Sequence, residues 1–204
     1  MRSAKDDKIF DPPFARRIVM SANLTPVLAA VQYERDFDIN GTLRKVVKRL
    51  REEGIKVGGV LQETEILPNA CYSRLHIVDI RTGQSECITQ NRGNESRGCK
   101  LDPRGLAEIS HCITDAIETG VDLIVINKFG RAESEGDGLL SCIADAVSVG
   151  LPVLTTVREP YVASWNLFHG GLASELPPRI DAILQWFNVS CRRRDNLPVI
   201  VPAA

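Results

Sequence analysis

The sequence carries no excess of basic residues, since 25 lysines and arginines face 26 aspartates and glutamates and the net charge is −1. General nucleic-acid binders usually show a strong basic excess, so we expect no nucleic-acid partner. No apolar run reaches the roughly 18 residues of a membrane span. The start, MRSAKDDKIFDPPFARR, is too polar and proline-broken for a signal peptide. These absences predict a cytoplasmic protein with no membrane partner.

The six cysteines include no C-x-x-C pair, which removes the commonest zinc-binding spacing. Without a secretory signal they are expected to be reduced thiols. Cys112 and Cys142 fall on apolar faces of predicted helices, where a free cysteine behaves as a small buried hydrophobe. The three histidines, His76, His111 and His169, are dispersed. No Ser-His-Asp or H-E-x-x-H arrangement is visible, so the sequence specifies neither a cofactor nor a metal.

A length of 204 residues fits one domain, and the 44% of hydrophobic residues suffice for an ordinary packed core. We predict an N-terminal arm at residues 1–24, one α/β domain at 25–190 and a tail at 191–204. The tail contains the basic run RRR. The oligomeric state stays open, and a homo-oligomer is compatible with the sequence.

Apolar runs that are typical of buried parallel strands alternate with amphipathic helical patterns. A strand at 26–33, a helix at 41–53 and a strand at 56–62 predict one βαβ unit. The most apolar strand, 121–127, is expected at the centre of the sheet. The pattern predicts an α/β fold with a mostly parallel sheet flanked by helices and an antiparallel β-hairpin excursion. The remaining predicted elements are the hairpin at 74–90, helices at 102–119 and 139–149, a last core strand at 152–157, a loop with Trp165 and Phe168, and a helix at 178–187.

Ligands of open α/β sheets bind beyond the carboxyl ends of the strands, which directs attention to the loops there. The first loop, 34–40, stands where a phosphate-binding P-loop would be. Its segment QYERDFDINGT has no lysine and no glycine before Gly41, and its carboxylates would repel a triphosphate. Two readings remain open: a metal site formed by Glu34, Asp36 and Asp38, or a solvated acidic loop.

The loop after the central strand, NKFGRAESEGDG, is the most informative segment. Packing of a buried strand does not require charged residues at its end, and glycines allow close backbone approach to a ligand or a positive φ. Two interpretations of this segment are open. It forms a ligand site, or it is a surface loop that carries an internal Lys–Glu pair. The residues in question are Asn127, Lys128, Gly130, Glu133, Gly136 and Gly138.

A third loop, NRGNESRGCK, precedes a predicted helix N-terminus, where backbone amides and cations suit an oxyanion. Gly98 and Lys100 are the candidates for this contact. Nearby cations would also favour the thiolate of Cys99. The alternative is an exposed loop whose cations face water.

Several motifs together resemble a bacterial domain family of unknown function that is often encoded near molybdate transport genes. The resemblance covers residues 24–187, and its most specific elements are GCKLDP and NKFGRAESEG. More distantly, the order of elements is similar to the thermophilic nucleoside-triphosphatase family of P-loop proteins. In this comparison, the segment HIVDIRTGQ of the present chain matches a hairpin of that family. The segment DLIVINKFGRAE matches the family's Walker B strand and the loop that follows it.

The resemblance implies a degenerate P-loop scaffold, because the phosphate loop is missing and Asn127 replaces the Walker B acid. Our first hypothesis is a binding or regulatory protein for a small anionic ligand, a nucleotide, a pterin phosphate or an oxyanion, in molybdenum metabolism. Lys100 and Lys128 would neutralise the ligand, while Asn127 and the amides of Gly98 and Gly130 would hydrogen-bond it.

Two further hypotheses stay open. One is a divergent nucleoside-triphosphatase or phosphotransferase, in which Lys128 replaces the P-loop lysine and Glu133, aligned with the family's glutamate, is the catalytic base. The other is an interaction module that contacts a partner through Trp165 and Phe168.

Overall fold

The computed structural model describes residues 26–66, 73–88 and 103–191. The predicted arm and the predicted tail beyond residue 191 lie outside the described residues. So does the loop with Gly98, Cys99 and Lys100.

The described residues form a seven-stranded sheet in the order β4-β3-β2-β5-β6-β1-β7. Strands β2, β5, β6, β1 and β7 are parallel, while β3 and β4 add an antiparallel hairpin at one side. This confirms the mostly parallel sheet, the hairpin excursion and the central position of β5. The strands are β1 (Leu28–Tyr33), β2 (Val57–Ile66), β3 (Ser73–Asp79), β4 (Ser85–Cys87), β5 (Leu123–Phe129), β6 (Val153–Arg158) and β7 (Ala173–Leu176).

Helices cover both faces of the sheet because neighbouring residues of a buried strand point to opposite faces. On β1, Leu28 and Ala30 join one hydrophobic cluster, and Ala29 and Val31 join the other. Among the described residues, no helix combines the length and apolarity that crossing a membrane requires. The helices are α1 (Ile39–Glu52) and α6 (Ile180–Cys191) on one face, α2 (Pro103–Glu118), α4 (Leu140–Ser148) and α5 (Val162–His169) on the other, and the short α3 (Arg131–Ser134).

The region after β6 differs from the prediction. The segment predicted as a loop forms a 3-10 turn (Glu159–Tyr161) and helix α5, and β7 then adds a parallel strand beside β1. The strand at β6 is therefore not the last of the sheet. Trp165 is 0% exposed and Phe168 is 3% exposed, so these two side chains are not available to a partner, and an interaction through their segment stays a prediction. Their aromatic surface is buried in the core, where it stabilises the fold.

Candidate functional site

The chain leaves β1 and β6 toward opposite faces of the sheet. After β1 it enters α1 on one face, and after β6 it enters α5 on the other. Such a reversal opens a crevice at the carboxyl ends of the two strands, which is where open α/β sheets bind their ligands. The loop of residues 34–38 and the end of β5 lie at this edge.

The N-terminus of α1 is capped by the chain's own carboxylate. Oδ1 of Asp38 accepts a hydrogen bond of 2.9 Å from the backbone N–H of Gly41. A Cβ at Gly41 would lie 2.1 Å from Oδ2 of Asp38, so a larger residue there would have to displace the Asp38 carboxylate. Free helix N-termini attract anions, but here Asp38 already supplies the negative charge. Within the described part of the chain, Glu34, Asp36 and Asp38 do not form a metal-ligating group, so that reading of the loop is wrong.

Asn127 ties three elements together at the end of β5. Its Nδ2 donates to Oδ1 of Asn40 in α1 over 2.7 Å, and its Oδ1 accepts from Oγ1 of Thr156 in β6 over 2.8 Å. Asn127 is 2% exposed. The neutral side chain thus uses both ends of its amide to join α1, β5 and β6. It brings the end of the central strand to the first loop, as the sequence predicted.

Lys128 leaves the same strand in a different direction. The register of β5 against β6 shifts between Ile126 and Phe129, and the Asn127–Lys128 peptide bond is cis. Bulges of this kind re-aim side chains near functional sites. Lys128 is exposed, whereas its neighbours Asn127 and Phe129 are buried. One cationic side chain therefore leaves the carboxyl edge of the sheet beside the Asn127 network.

Glu133 is buried and bonded to the backbone through both oxygens. Its Oε2 accepts from the N–H of Gly130 over 2.9 Å, and its Oε1 accepts from the N–H of Leu139 over 3.1 Å. These amides begin α3 and α4, so one carboxylate caps two helices. A carboxylate is also stabilised by the partial positive charge of a helix N-terminus. The described contacts of Glu133 are therefore those of a structural cap.

The glycines of this loop divide into two kinds. Gly136 and Gly138 adopt positive φ values of 94° and 68°, as the sequence predicted for glycines in this loop. Gly138 also makes room for Glu133, because a Cβ there would lie 2.2 Å from Oε1. Gly130 has a φ of −132°, which any residue adopts, so of the two alternatives only close backbone approach to a ligand remains a prediction for this glycine.

Four aromatic rings hold the end of β5 and the start of the β5–α4 connection. Phe129 lies 5.3 Å from the ring of Trp165 in an edge-to-face arrangement and 6.0 Å from Phe168. His169 contacts Trp165 at 5.0 Å between centroids, and its Nδ1 accepts from the N–H of Gly171. Burial lowers the pKa of His169 below its ordinary value. The cluster anchors the strand from which Lys128 projects.

A cleft of about 650 Å³ lies at the carboxyl ends of β1 and β6, and we call it the β1–β6 cleft. Burial raises the pKa of Tyr33 in this cleft, and the nearby charge of Arg158 acts in the opposite direction. Neither Lys128 nor Glu133 lines the cleft. Of the loops singled out in the sequence, the first loop contributes Glu34, Asp36 and Phe37 to this cleft. The lining residues are Gln32, Tyr33, Glu34, Asp36, Phe37, Glu159, Val162 and Pro178.

The structure thus brings part of the predicted site together. Asn127 contacts the first loop, and Lys128, Gly130 and Glu133 are neighbours, since a Cβ at Gly130 would lie within 3.9 Å of the side chains of Lys128 and Glu133. Gly98, Cys99 and Lys100 lie outside the described residues, and their part in the site stays a prediction.

Comparison with known proteins confirms the resemblances that the motifs indicated. The chain superposes on the solution structure of a human cancer-related nucleoside triphosphatase with a TM-score of 0.55, covering 72% of this chain and 87% of that one at 14% identity. This likeness shows that the chain shares its fold with that nucleoside triphosphatase.

The chain is also similar to the molybdenum import ATP-binding protein ModC 2 of Bradyrhizobium diazoefficiens, with 34% identity over 170 residues. These residues are 83% of this chain but 19% of the relative, so the chain spans about a fifth of that protein's length. A family model described as a protein of unknown function, DUF2478, matches residues 28–186. The chain belongs to the DUF2478 family, on a scaffold of the P-loop nucleoside-triphosphatase type.

Proposed function

We propose that this protein is a binding or regulatory protein that uses a P-loop-type scaffold with a degenerate Walker A loop. It binds a small anionic ligand, a nucleotide, a pterin phosphate or an oxyanion, at the carboxyl edge beside Lys128. The observation that carries this proposal is the Asn127 network. A neutral amide stands at the end of the central strand and joins α1 to β6 through one hydrogen bond at each end.

The same observation disfavours phosphoryl transfer as the main function. P-loop enzymes position Mg²⁺ with a Walker B acid and hold phosphates with backbone amides and a lysine. In this chain the helix N-terminus is capped by Asp38, and no described lysine lies in the first loop. Glu133 is buried, and each of its oxygens already accepts from a backbone amide, which leaves little access for an attacking water. Hydrolysis requires the Walker B acid and the phosphate-loop lysine, both of which are missing here. Binding of an anion does not require a group that positions Mg²⁺.

Lys128 supports an anionic ligand because it is an exposed cation at the edge where α/β proteins bind small molecules. Lys100, Cys99 and Gly98, if they reach this edge, would add a second cation and free amides. The name of the ModC 2 relative, a molybdenum import ATP-binding protein, supports both a nucleotide or molybdate ligand and a role in molybdenum metabolism.

The first test is the binding of ATP, GTP and molybdate to the purified protein, measured separately by titration calorimetry. For the probe that binds, Lys128→Ala should weaken affinity about tenfold, since a hydrogen bond to a charged group contributes about 1.5–3 kcal/mol. The matched control is Lys56→Ala, an exposed lysine next to the amino end of β2, at the opposite edge of the sheet. Equal losses in the two variants, or no binding of any probe, would contradict the proposal.

Hydrolysis separates this proposal from a divergent nucleoside-triphosphatase. We expect release of phosphate from ATP and GTP, with Mg²⁺, to stay at the rate of a protein-free sample, because the groups for metal and phosphate are replaced. Malachite-green detection over hours measures this. Turnover well above that rate, and its loss in a Glu133→Gln variant that remains folded by circular dichroism, would make the enzyme the better description.

A further inference from the structure

The β1–β6 cleft has apolar and aromatic walls that the proposed anion site does not use. Tyr33 and Phe37 come from β1 and its loop, and Val162 and Pro178 close the other side. Phe37 is 40% exposed, which makes it one of four large hydrophobic side chains with high exposure among the described residues. An exposed aromatic ring in a concave cleft offers a flat apolar surface to a guest.

Three carboxylates, those of Glu34, Asp36 and Glu159, line this cleft. Among the residues that the structure describes, no lysine or arginine lines it. Within residues 26–66, 73–88 and 103–191, these three carboxylates form no ion pair of 4.0 Å or less with a side chain, although other exposed carboxylates such as Glu63 and Glu135 do. Arg158 on β6 pairs in register with Tyr33, and its charge acts on the Tyr33 hydroxyl, but Arg158 is not among the described lining residues. The described lining therefore places three carboxylates next to aromatic surface, with Arg158 as a nearby cation.

We propose that the β1–β6 cleft docks an arginine side chain of a protein partner. A guanidinium group is flat and carries its donors in a fixed fork, so that it stacks on an aromatic ring while it donates to carboxylates. Phe37 or Tyr33 supplies the ring, and Glu34, Asp36 and Glu159 supply the acceptors. A volume of about 650 Å³ also accommodates the backbone on either side of the arginine. A peptide segment thus fits this cleft better than an isolated cation.

Other ligands fit the lining of this cleft less well. A phosphate or nucleotide phosphate would meet three carboxylates of like charge. A metal ion needs converging ligands, and the described residues contain no such group of histidine, cysteine, aspartate or glutamate. A lysine would satisfy the carboxylates as a compact, strongly hydrated charge but would gain less from the aromatic surface. An arginine side chain therefore contacts both the aromatic surface and the carboxylates of the cleft.

The test uses three fluorescently labelled peptides, GGRGRGG and the same peptide with citrulline or lysine in place of both arginines. Fluorescence anisotropy should show the arginine peptide binding at least tenfold more tightly than the citrulline peptide, which has almost the same shape without the charge. The lysine peptide should bind with intermediate affinity. Binding of the arginine peptide should weaken as salt rises, because exposed charges are screened. Equal affinity for the arginine and citrulline peptides would overturn the proposal.

Variants of the cleft locate the binding. The triple change Glu34→Gln, Asp36→Asn and Glu159→Gln should weaken binding of the arginine peptide about tenfold, and Phe37→Ala about threefold. The matched control neutralises Glu108, Glu118 and Asp145, exposed carboxylates on α2 and α4. An equal loss in the control triple would show attraction by net charge alone and refute a specific cleft. Self-association that is abolished by the cleft triple, measured by analytical ultracentrifugation, would make a second copy the occupant and overturn the proposal.

This inference and the proposed function can fail separately. Lys128 does not line the cleft, so Lys128→Ala should leave binding of the arginine peptide unchanged. Conversely, Phe37→Ala should leave the affinity for the anionic probe within twofold of its original value.

Discussion

Replacing Glu133 with alanine is expected to lower the free energy of unfolding by about 3 kcal/mol, because two buried backbone N–H groups lose their acceptor and each unsatisfied donor costs about 1–3 kcal/mol. Those donors belong to Gly130 and Leu139, which begin α3 and α4. Denaturant unfolding followed by circular dichroism measures the loss. The neighbouring Glu135→Ala is the control, since Glu135 is exposed and pairs with Arg131 on the surface. We expect the control to change stability by less than 1 kcal/mol.

Glu133→Gln distinguishes a cap from a catalytic base. The amide keeps one acceptor oxygen and places an NH₂ group against a backbone donor, so the cap interpretation expects a clear loss of stability, smaller than that of Glu133→Ala. A purely catalytic glutamate would tolerate this isosteric change with no effect on unfolding. A stability equal to that of the unchanged protein would therefore contradict the structural role that the two hydrogen bonds indicate.

Trp165→Ala is expected to have the largest effect in this protein, a loss of about 3–5 kcal/mol in the free energy of unfolding, as for other large aromatic side chains removed from a core. Trp165 is 0% exposed and packs against Phe129, Phe168 and His169. The same denaturation experiment measures it. Leu167→Ala on the same helix is the control, because Leu167 is 64% exposed and should change stability by no more than about 0.5 kcal/mol.

Trp165→Phe should cost less than half as much as Trp165→Ala. The phenyl ring keeps the contact with Phe129. The change also removes the indole N–H, which is buried without a hydrogen-bond partner among the described residues. Should both variants prove equally unstable, the ring contacts would not be the source of the stability. Because Phe129 ends β5 next to Lys128, the same cluster should also influence ligand affinity, with Trp165→Ala weakening it and Trp165→Phe preserving it.

Much of the sheet could be predicted because its strands are buried on both faces. The runs at β1, β5 and β6 are continuously apolar, and the alternation with amphipathic helices is a local pattern that survives in the structure. Helix α5 and strand β7 could not be predicted in the same way. VASWNLFH shows no clear helical periodicity, and ASEL is a short edge strand whose identity comes from pairing with β1.

The candidate site was predictable in composition but not in the roles of its residues. The unusual loop after β5 marked Asn127, Lys128 and Glu133, and the strand-end rule placed them near the carboxyl edge of the sheet. Their part in a ligand site stays a prediction. Local pattern cannot indicate that Asn127 bonds to Asn40, a residue 87 positions away, or that Glu133 faces inward to two backbone amides. These contacts form only when α1, α3 and α4 pack against the sheet.

By itself, the sequence determined the α/β class, the hairpin excursion, the absence of a phosphate-binding lysine in the first loop and the neutral residue at the end of the central strand. These follow from residue types and from periods of two and 3.6 residues, which are local properties. Only the tertiary structure decided that Asn127 bonds to Asn40, that Trp165 belongs to the core and that Phe37 and Glu159 line the same cleft. The reason is physical: burial and charge compensation of a side chain depend on neighbours that are distant in the chain and meet only when the sheet and its helices pack.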